Sequence, residues 1–80
     1  MSDPKVSEKI PVLAFNTQEF VNWLLRKRKS KRDYVYLPKL SDIKASHSRI
    51  FVVLPGSVQR RDWAEINEYF LREQPALIAE

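Results

Sequence analysis

The spacing of apolar residues changes along this chain, and each spacing predicts a helix or a strand. Between positions 20 and 25, five apolar residues cover a broad arc of one helix face. Asn16 can cap the start of this helix, and Glu19 follows three residues later, as in a capping box. The arc ends at Arg26, so we expect the buried face of the first helix to end there.

A second helix is predicted near the carboxyl end of the chain. Ser57 or Asp62 can cap it, and Asp62 with Glu65 forms the better capping box. Pro75 stops it because proline cannot continue a helix. Its apolar face is formed by Trp63, Ala64, Ile66, Phe70 and Leu71.

Short apolar segments predict the strands. Residues 34–37 alternate, which places two tyrosines on one face, and residues 50–54 are apolar on both faces. Residues 11–15 form another short apolar segment, and residues 76–79 form an apolar tail that either adds an edge strand or frays. Gly56, the one glycine, follows a proline, so we expect a turn in which it takes a positive φ.

We therefore predict one α+β domain with the order βαββα, in which two helices cover one face of a short, mostly antiparallel sheet. If the tail at 76–79 adds a strand, the order becomes the ferredoxin-like βαββαβ. Only Pro75 separates the second helix from that tail, and so short a connection favours the three-stranded form. Residues 1–10 are expected to form a flexible leader before a domain at 11–80.

The predicted sheet has an apolar face that the two helices leave open. Residues 50–54 are apolar on both faces, whereas two helices on one side cover a single face. The cover for the second face would be the tail, the polar connection at 39–48, a second copy of the chain or a partner protein. A homodimer through the open sheet face is one expectation that follows.

Composition excludes several classes of protein. The 80 residues make a single domain, and the absence of cysteine excludes disulfides and thiolate metal sites. No apolar run approaches the ~20 residues that span a bilayer, and residues 1–9 do not resemble a signal peptide. We expect a cytoplasmic protein, or a nuclear one in a eukaryote, without membrane attachment.

Positive charge is concentrated in the middle of the chain. Residues 26–32, here called the basic run, hold six cations and no acid. Residues 26–61 hold eleven basic and two acidic residues, a net charge of +9, whereas residues 1–25 and 62–80 carry −1 and −4. Such clusters commonly meet phosphates or an acidic protein surface, although a basic helix end can also serve solubility alone.

We predict a small binding module that contacts nucleic-acid phosphates through the basic run and the basic residues after it. Tyr34 and Tyr36 follow the run and, if exposed, offer a stacking platform for bases; if buried, they pack under a helix. The predicted partner is either DNA or RNA. The candidate phosphate-binding residues are Arg26, Lys27, Arg28, Lys29, Lys31, Arg32, Lys39, Lys44, Arg49, Arg60 and Arg61.

The histidine and carboxylate side chains do not form a pattern that is typical of a catalytic site. His47 is the one histidine; it lacks the partners of a zinc site, and a pairing with Asp42 is too little for catalysis. We predict no enzyme activity, no metal and no cofactor. The alternative function is a phage- or plasmid-type regulator or inhibitor that docks its basic patch and apolar sheet face on an acidic surface of a host protein.

Overall fold

The computed structural model describes residues 9–80 and alternates strands with helices along the chain. The prediction of a leader falls mainly on residues 1–8, which lie outside the described part; Ile10 already belongs to a strand. The strands are β1 (Ile10–Leu13), β2 (Tyr34–Tyr36), β3 (Ile50–Val53) and β4 (Ala76–Ala79); the helices are α1 (Thr17–Lys27), α2 (Leu40–Ser46) and α3 (Trp63–Glu73), with a 3-10 turn at Pro55–Gln59.

All four strands run parallel, in the order β2-β1-β3-β4. Val12 in β1 lies between Tyr36 of β2 and Val52 of β3, so β1 and β3 are the inner strands. The prediction of a mostly antiparallel sheet was therefore wrong. A helix lies in each connection between successive strands, as parallel pairing requires, because the chain must return to the same end of the sheet.

Helices cover both faces of the sheet. On one face α1 packs Phe20, Trp23 and Leu24 against Val12 and Val52. On the other face the buried clusters of α2 and α3 meet Leu13, Leu37 and Phe51. The prediction that two helices share one face, leaving an open apolar face for a homodimer, is corrected by this arrangement.

The cover of the second face comes from the segment at 39–48 together with α3. This segment was predicted to be a polar connection, but Leu40–Ser46 forms α2, in which Ile43 is completely buried. Ile43 packs in one cluster with Ile66 and Phe70 of α3. One buried isoleucine and a half-buried Leu40 are enough to seat a helix of two turns on the sheet.

The predicted alternation of β2 is confirmed. Tyr34 and Tyr36 lie on the α1 face, and Val35 and Leu37 lie on the other. The Tyr34 ring meets Trp23 edge to face with centroids 5.1 Å apart, so β2 is fixed to α1 by aromatic packing.

The tail forms a real strand, β4, against β3. Gln74 takes a left-handed conformation at φ 52°, and its N–H donates to Phe70 O at 2.7 Å. This turn reverses the chain, so that Ala76 N–H reaches Arg49 O at 2.8 Å immediately after Pro75. The short connection did not prevent a fourth strand, because a left-handed residue redirects the chain within a single step.

The start of α1 is capped as predicted, with one difference. Asn16 Oδ1 accepts the N–H of Glu19 at 2.9 Å, but the Glu19 carboxylate turns to the N–H of Phe15 at 2.6 Å and to the N–H of Gly56 at 2.8 Å. Gly56 does not have the positive φ that was predicted. A Cβ on Gly56 would lie 2.5 Å from Glu19 Oε1, so a larger residue here would require the Glu19 carboxylate to move.

Candidate anion-binding edge

Parallel strands place the entry of every strand at the same edge of the sheet. Lys9 directly precedes β1, Arg32 lies two residues before β2, and Arg49 directly precedes β3. The carboxyl ends of the helices return to this edge, and Lys44 lies in the last turn of α2. We call this cluster the basic edge; its exposed cations are Lys9, Arg26, Lys27, Arg28, Lys29, Lys31, Arg32, Lys44 and Arg49.

The basic run leaves α1 through a defined turn. Arg28 takes a left-handed conformation at φ 55°, and its N–H donates to Leu25 O at 3.3 Å. The N–H of Lys29 donates to Leu24 O at 2.8 Å, which completes a Schellman motif. Arg26 and Lys27 occupy the last helical turn, where cations are favoured by the helix dipole. The run therefore turns across the edge and does not extend the helix into solvent.

The far end of the run is also anchored. Ser30 O accepts the N–H of Asp33 at 3.0 Å, and Ser30 Oγ accepts the N–H of Arg32 at 3.1 Å. Asp33 O in turn accepts the N–H of Ile10 at 2.9 Å, which ties the run to the start of β1. Its backbone is thus fixed at both ends, and its cationic side chains project from a short, ordered turn.

Most cations of the edge form no ion pair with an acid in the described residues. One ion pair joins Lys27 Nζ to Glu80 at 3.8 Å, and no other salt bridge in residues 9–80 involves the basic edge. Lys29 Nζ lies 5.7 Å from the centre of the Tyr34 ring, within cation–π range. The remaining charges face water, where they are available to an anion.

A shallow groove lies on the same edge, between the ends of α2 and α3. His47, which ends α2 in a left-handed conformation, borders it, together with Arg49. The groove measures about 180 Å³ and is lined by His47, Ser48, Arg49, Tyr69, Glu73 and Pro75.

Three of the predicted cations lie at the opposite edge, where the strands end. Lys39 follows β2, and Arg60 and Arg61 lie between the 3-10 turn and α3. Lys39 and Arg61 are exposed, and they belong to segments that follow the carboxyl ends of β2 and β3. The single block of charge in the sequence is thus divided between two edges in the fold.

Arg60 is buried, with 8% of its surface exposed. Its guanidinium donates to the carbonyls of Ala14, Leu37 and Pro38 at 3.5, 3.0 and 2.9 Å, and to both carboxylate oxygens of Asp62 at 3.0 Å. These bonds use all five N–H donors of the side chain. Arg60 therefore joins the ends of β1 and β2 to the segment after β3, and it has no donor left for a ligand.

Two side-chain bridges close the carboxyl edge of the sheet: one is made by Arg60 and the other by Glu19. Open parallel sheets commonly bind ligands beyond the carboxyl ends of their strands, between strands whose connections lead in opposite directions. In this chain that position lies between β1 and β3, and the Glu19 carboxylate links the two loops that leave them. With Arg60 beside it, the usual ligand position is occupied by the protein's own side chains.

Tyr34 and Tyr36 are half-buried beneath α1. Tyr36 stacks on Phe20 with centroids 5.9 Å apart, and Tyr34 meets Trp23. Their proposed role as a platform for bases stays a prediction, and this packing leaves little of either ring face for a base.

Lys9 is a member of the basic edge that the sequence interpretation missed. It was assigned to the leader because the apolar segment was taken to begin at Pro11. The signal was the position of Ile10, which extends that segment and places Lys9 at the entry of β1.

Within residues 9–80, two features are absent: a metal-binding cluster of side chains and a membrane-spanning helix. No group of three or more His, Cys, Asp and Glu side chains there is arranged to hold a metal ion. None of the helices in this part is both long and apolar enough to cross a bilayer.

No protein-family model, no curated protein and no solved structure matches this chain.

Proposed function

We propose that this protein binds nucleic-acid phosphates through the basic edge. The observation that carries the proposal is that parallel strands bring the basic run to the strand entries that hold Lys9 and Arg49, with a single ion pair among these cations in the described residues. Lys and Arg bind phosphates by displacing condensed counterions, so a cluster with few acidic neighbours has most to gain.

The edge has a suitable shape for a phosphate backbone. The cations that precede β2, β1 and β3 stand on neighbouring strands, which lie about 5 Å apart, so they form a row of roughly 10 Å. Phosphates of one strand of a duplex recur about every 3.4 Å along the helix axis and are also separated around it, so this row can contact about two of them. The basic run lengthens the row beyond β2 with side chains carried by an anchored turn.

The packing of the tyrosines indicates that the proposed contact does not read the base sequence of the nucleic acid. Tyr34 and Tyr36 serve the interface with α1, so base stacking contributes little to the proposed contact. Phosphate contacts position a protein on nucleic acid but carry no sequence information. We therefore propose binding that tolerates any sequence and weakens steeply with salt.

The alternative, a regulator that docks on an acidic host protein, loses part of its basis. It combined the basic patch with an apolar sheet face, and both faces are covered by helices. We do not propose a purely electrostatic contact with an acidic protein. The experiment below would detect such a contact if it forms.

The test uses two double variants with the same change in charge. Lys31→Glu with Arg32→Glu alters the basic edge, and Lys39→Glu with Arg61→Glu alters the carboxyl edge; all four side chains are exposed. Fluorescence anisotropy with labelled single-stranded and duplex oligonucleotides measures Kd at low and physiological salt. We expect the first pair to weaken binding about tenfold or more and the control pair to change it by less than about threefold.

Two results would overturn the proposal. Equal losses in the two variants would show that net charge alone acts, with no site. Failure of the native chain to bind any oligonucleotide at low salt would exclude a nucleic-acid function, and specific retention on an acidic protein under those conditions would favour the regulator. Circular dichroism of each variant checks that the fold is retained.

A further inference from the structure

The two outer edges of the sheet differ in their protection against other strands. The β2 edge is preceded by Lys31 and Arg32 and followed by Pro38, and charged residues and proline are the usual protection of an edge strand. The β4 edge reads Ala-Leu-Ile-Ala, without charge or proline, and its four residues are exposed. Leu77 and Ile78 expose 48% and 40% of their surface. No strand within residues 9–80 pairs with the outer side of β4.

Hydrogen bonds to β3 show which backbone groups of β4 face outward. Ala76 N–H donates to Arg49 O at 2.8 Å, and Glu80 N–H donates to Val53 O at 3.1 Å. Since N–H and C=O directions alternate along a strand, the even positions face β3, and Leu77 and Ala79 point their N–H and C=O groups outward. The trans peptide before Ala76 likewise points the carbonyl of Pro75 outward.

We propose that β4 pairs antiparallel with β4 of a second copy of this chain, about a two-fold axis normal to the sheet that passes midway between the two copies of Leu77. Leu77 then exchanges two N–H···O bonds with the partner's Leu77. Ala79 N–H donates to the carbonyl of the partner's Pro75, and the symmetric bond forms as well. Pro75 contributes only its carbonyl, so every outward donor from Leu77 to Ala79 is paired in this register, and the carbonyl of Ala79 stays with water.

The side chains fit the same register. A two-fold axis normal to the sheet keeps each face on its own side, so Leu77 meets the partner's Leu77 on the α3 face, and Ala76 meets the partner's Ile78 on the α1 face. A small residue thus lies opposite a large one. No like charges meet across the axis, because the one charged side chain in the register, Glu80, faces the uncharged Gln74.

The occupant is a second copy because the edge is self-complementary and its charge is already balanced. Glu80 accepts a bond from Trp23 Nε1 at 3.3 Å and pairs with Lys27 at 3.8 Å within its own chain. Pairing of β4 with the β2 edge of another molecule would be heterologous and would give a ring or an open fibre, but the cations and proline of β2 oppose it. The symmetric pair closes after two copies and joins two four-stranded sheets into one of eight strands.

The test measures mass and backbone protection. Light scattering across a wide range of concentration should show the mass rise from 9.5 kDa toward twice that value. Amide hydrogen exchange should slow about tenfold at Leu77 and Ala79 as the dimer forms, with little change at Ile78, whose N–H already faces β3.

Two variants and a control locate the interface. Leu77→Lys places charges against each other on the axis, and Ala79→Pro removes only an outward N–H, so both should stay near 9.5 kDa. Leu25→Lys makes the same change on α1, about 200° around the helix from Trp23, at a residue that is 72% exposed, and should still dimerise. A native chain that is monomeric at every concentration would overturn the proposal. A dimer that persists in both variants, while the Leu77 amide of the native dimer exchanges rapidly, would overturn it as well.

Discussion

The carboxylate of Glu19 and the backbone of Gly56 meet across 37 positions of sequence, with Oε2 accepting the Gly56 N–H at 2.8 Å. The same carboxylate accepts the Phe15 N–H, so one side chain joins the loop after β1 to the loop after β3. Because β1 and β3 are the inner strands, this bond closes the middle of the carboxyl edge. A Cβ at position 56 would lie 2.5 Å from Glu19 Oε1, so this arrangement leaves little room for a side chain there.

We predict that Gly56→Ala lowers the free energy of unfolding by about 1–3 kcal/mol, because the new methyl group displaces a carboxylate that holds two backbone N–H groups. In a Glu19→Ala background the sign should reverse. The φ of Gly56 is not positive, so alanine there restricts the unfolded chain and stabilises by about 0.4–1 kcal/mol. Urea unfolding of the four proteins in this cycle measures both values. An equal loss in the two backgrounds would contradict the proposed clash.

Arg60 should be a determinant of stability. We expect Arg60→Met to cost about 2–4 kcal/mol, because it leaves the carbonyls of Leu37 and Pro38 without donors and Asp62 without its partner. Arg61→Met, which removes the same charge from an exposed neighbour, should stay within about 0.5 kcal/mol. Thermal and urea unfolding of the two variants compare them directly, and similar costs would show that the bridge is unimportant.

The elements that carry their own local signals could be predicted from sequence. Helix α1 has a cap at Asn16 and a broad apolar arc, and β2 has a clear alternation of Tyr34 and Tyr36 with its aliphatic neighbours. Helix α2 has no comparable signal: it spans seven residues, with one buried side chain and no side-chain cap. A helix that short falls below the length at which periodicity separates helix from loop.

That omission led to the wrong sheet direction. Without α2, the segment from β2 to β3 looked like a loop, and a loop between successive strands suggests antiparallel pairing. The prediction of the site suffered from the same omission. The basic run could be found from charge alone, whereas the residues that lie beside it in the fold depend on strand direction. Parallel strands bring Lys9 and Arg49 to the run and move Lys39 and Arg61 away from it. The burial of Arg60 has no local signature, since its acceptors are carbonyls from distant segments.

Helix ends offer a simple route to greater stability. Gln74 ends α3 in a left-handed conformation at φ 52°, where a side chain is strained and glycine is not. We expect Gln74→Gly to raise the free energy of unfolding by about 0.5–1 kcal/mol and Gln74→Ala to give no gain. Both variants are compared by urea unfolding at equal protein concentration. A loss of stability in the glycine variant would show that the glutamine side chain makes a contribution that the turn geometry does not require.

The salt dependence of binding can count the phosphate contacts of the basic edge. For a duplex, the slope of log Kobs against log salt is about −0.9 for each phosphate that the protein neutralises. Neutralising a contacting residue, as in Lys31→Gln or Arg49→Gln, should therefore make the slope shallower by about 0.9, and the double variant should lose about twice that amount. Arg61→Gln removes the same charge from the carboxyl edge and should leave the slope unchanged, because counterions are released only where phosphates are touched. Anisotropy titrations at four or more salt concentrations give each slope. Equal changes for Arg49→Gln and Arg61→Gln would mean that phosphates do not distinguish the two edges, and the assignment of binding to the basic edge would then be wrong.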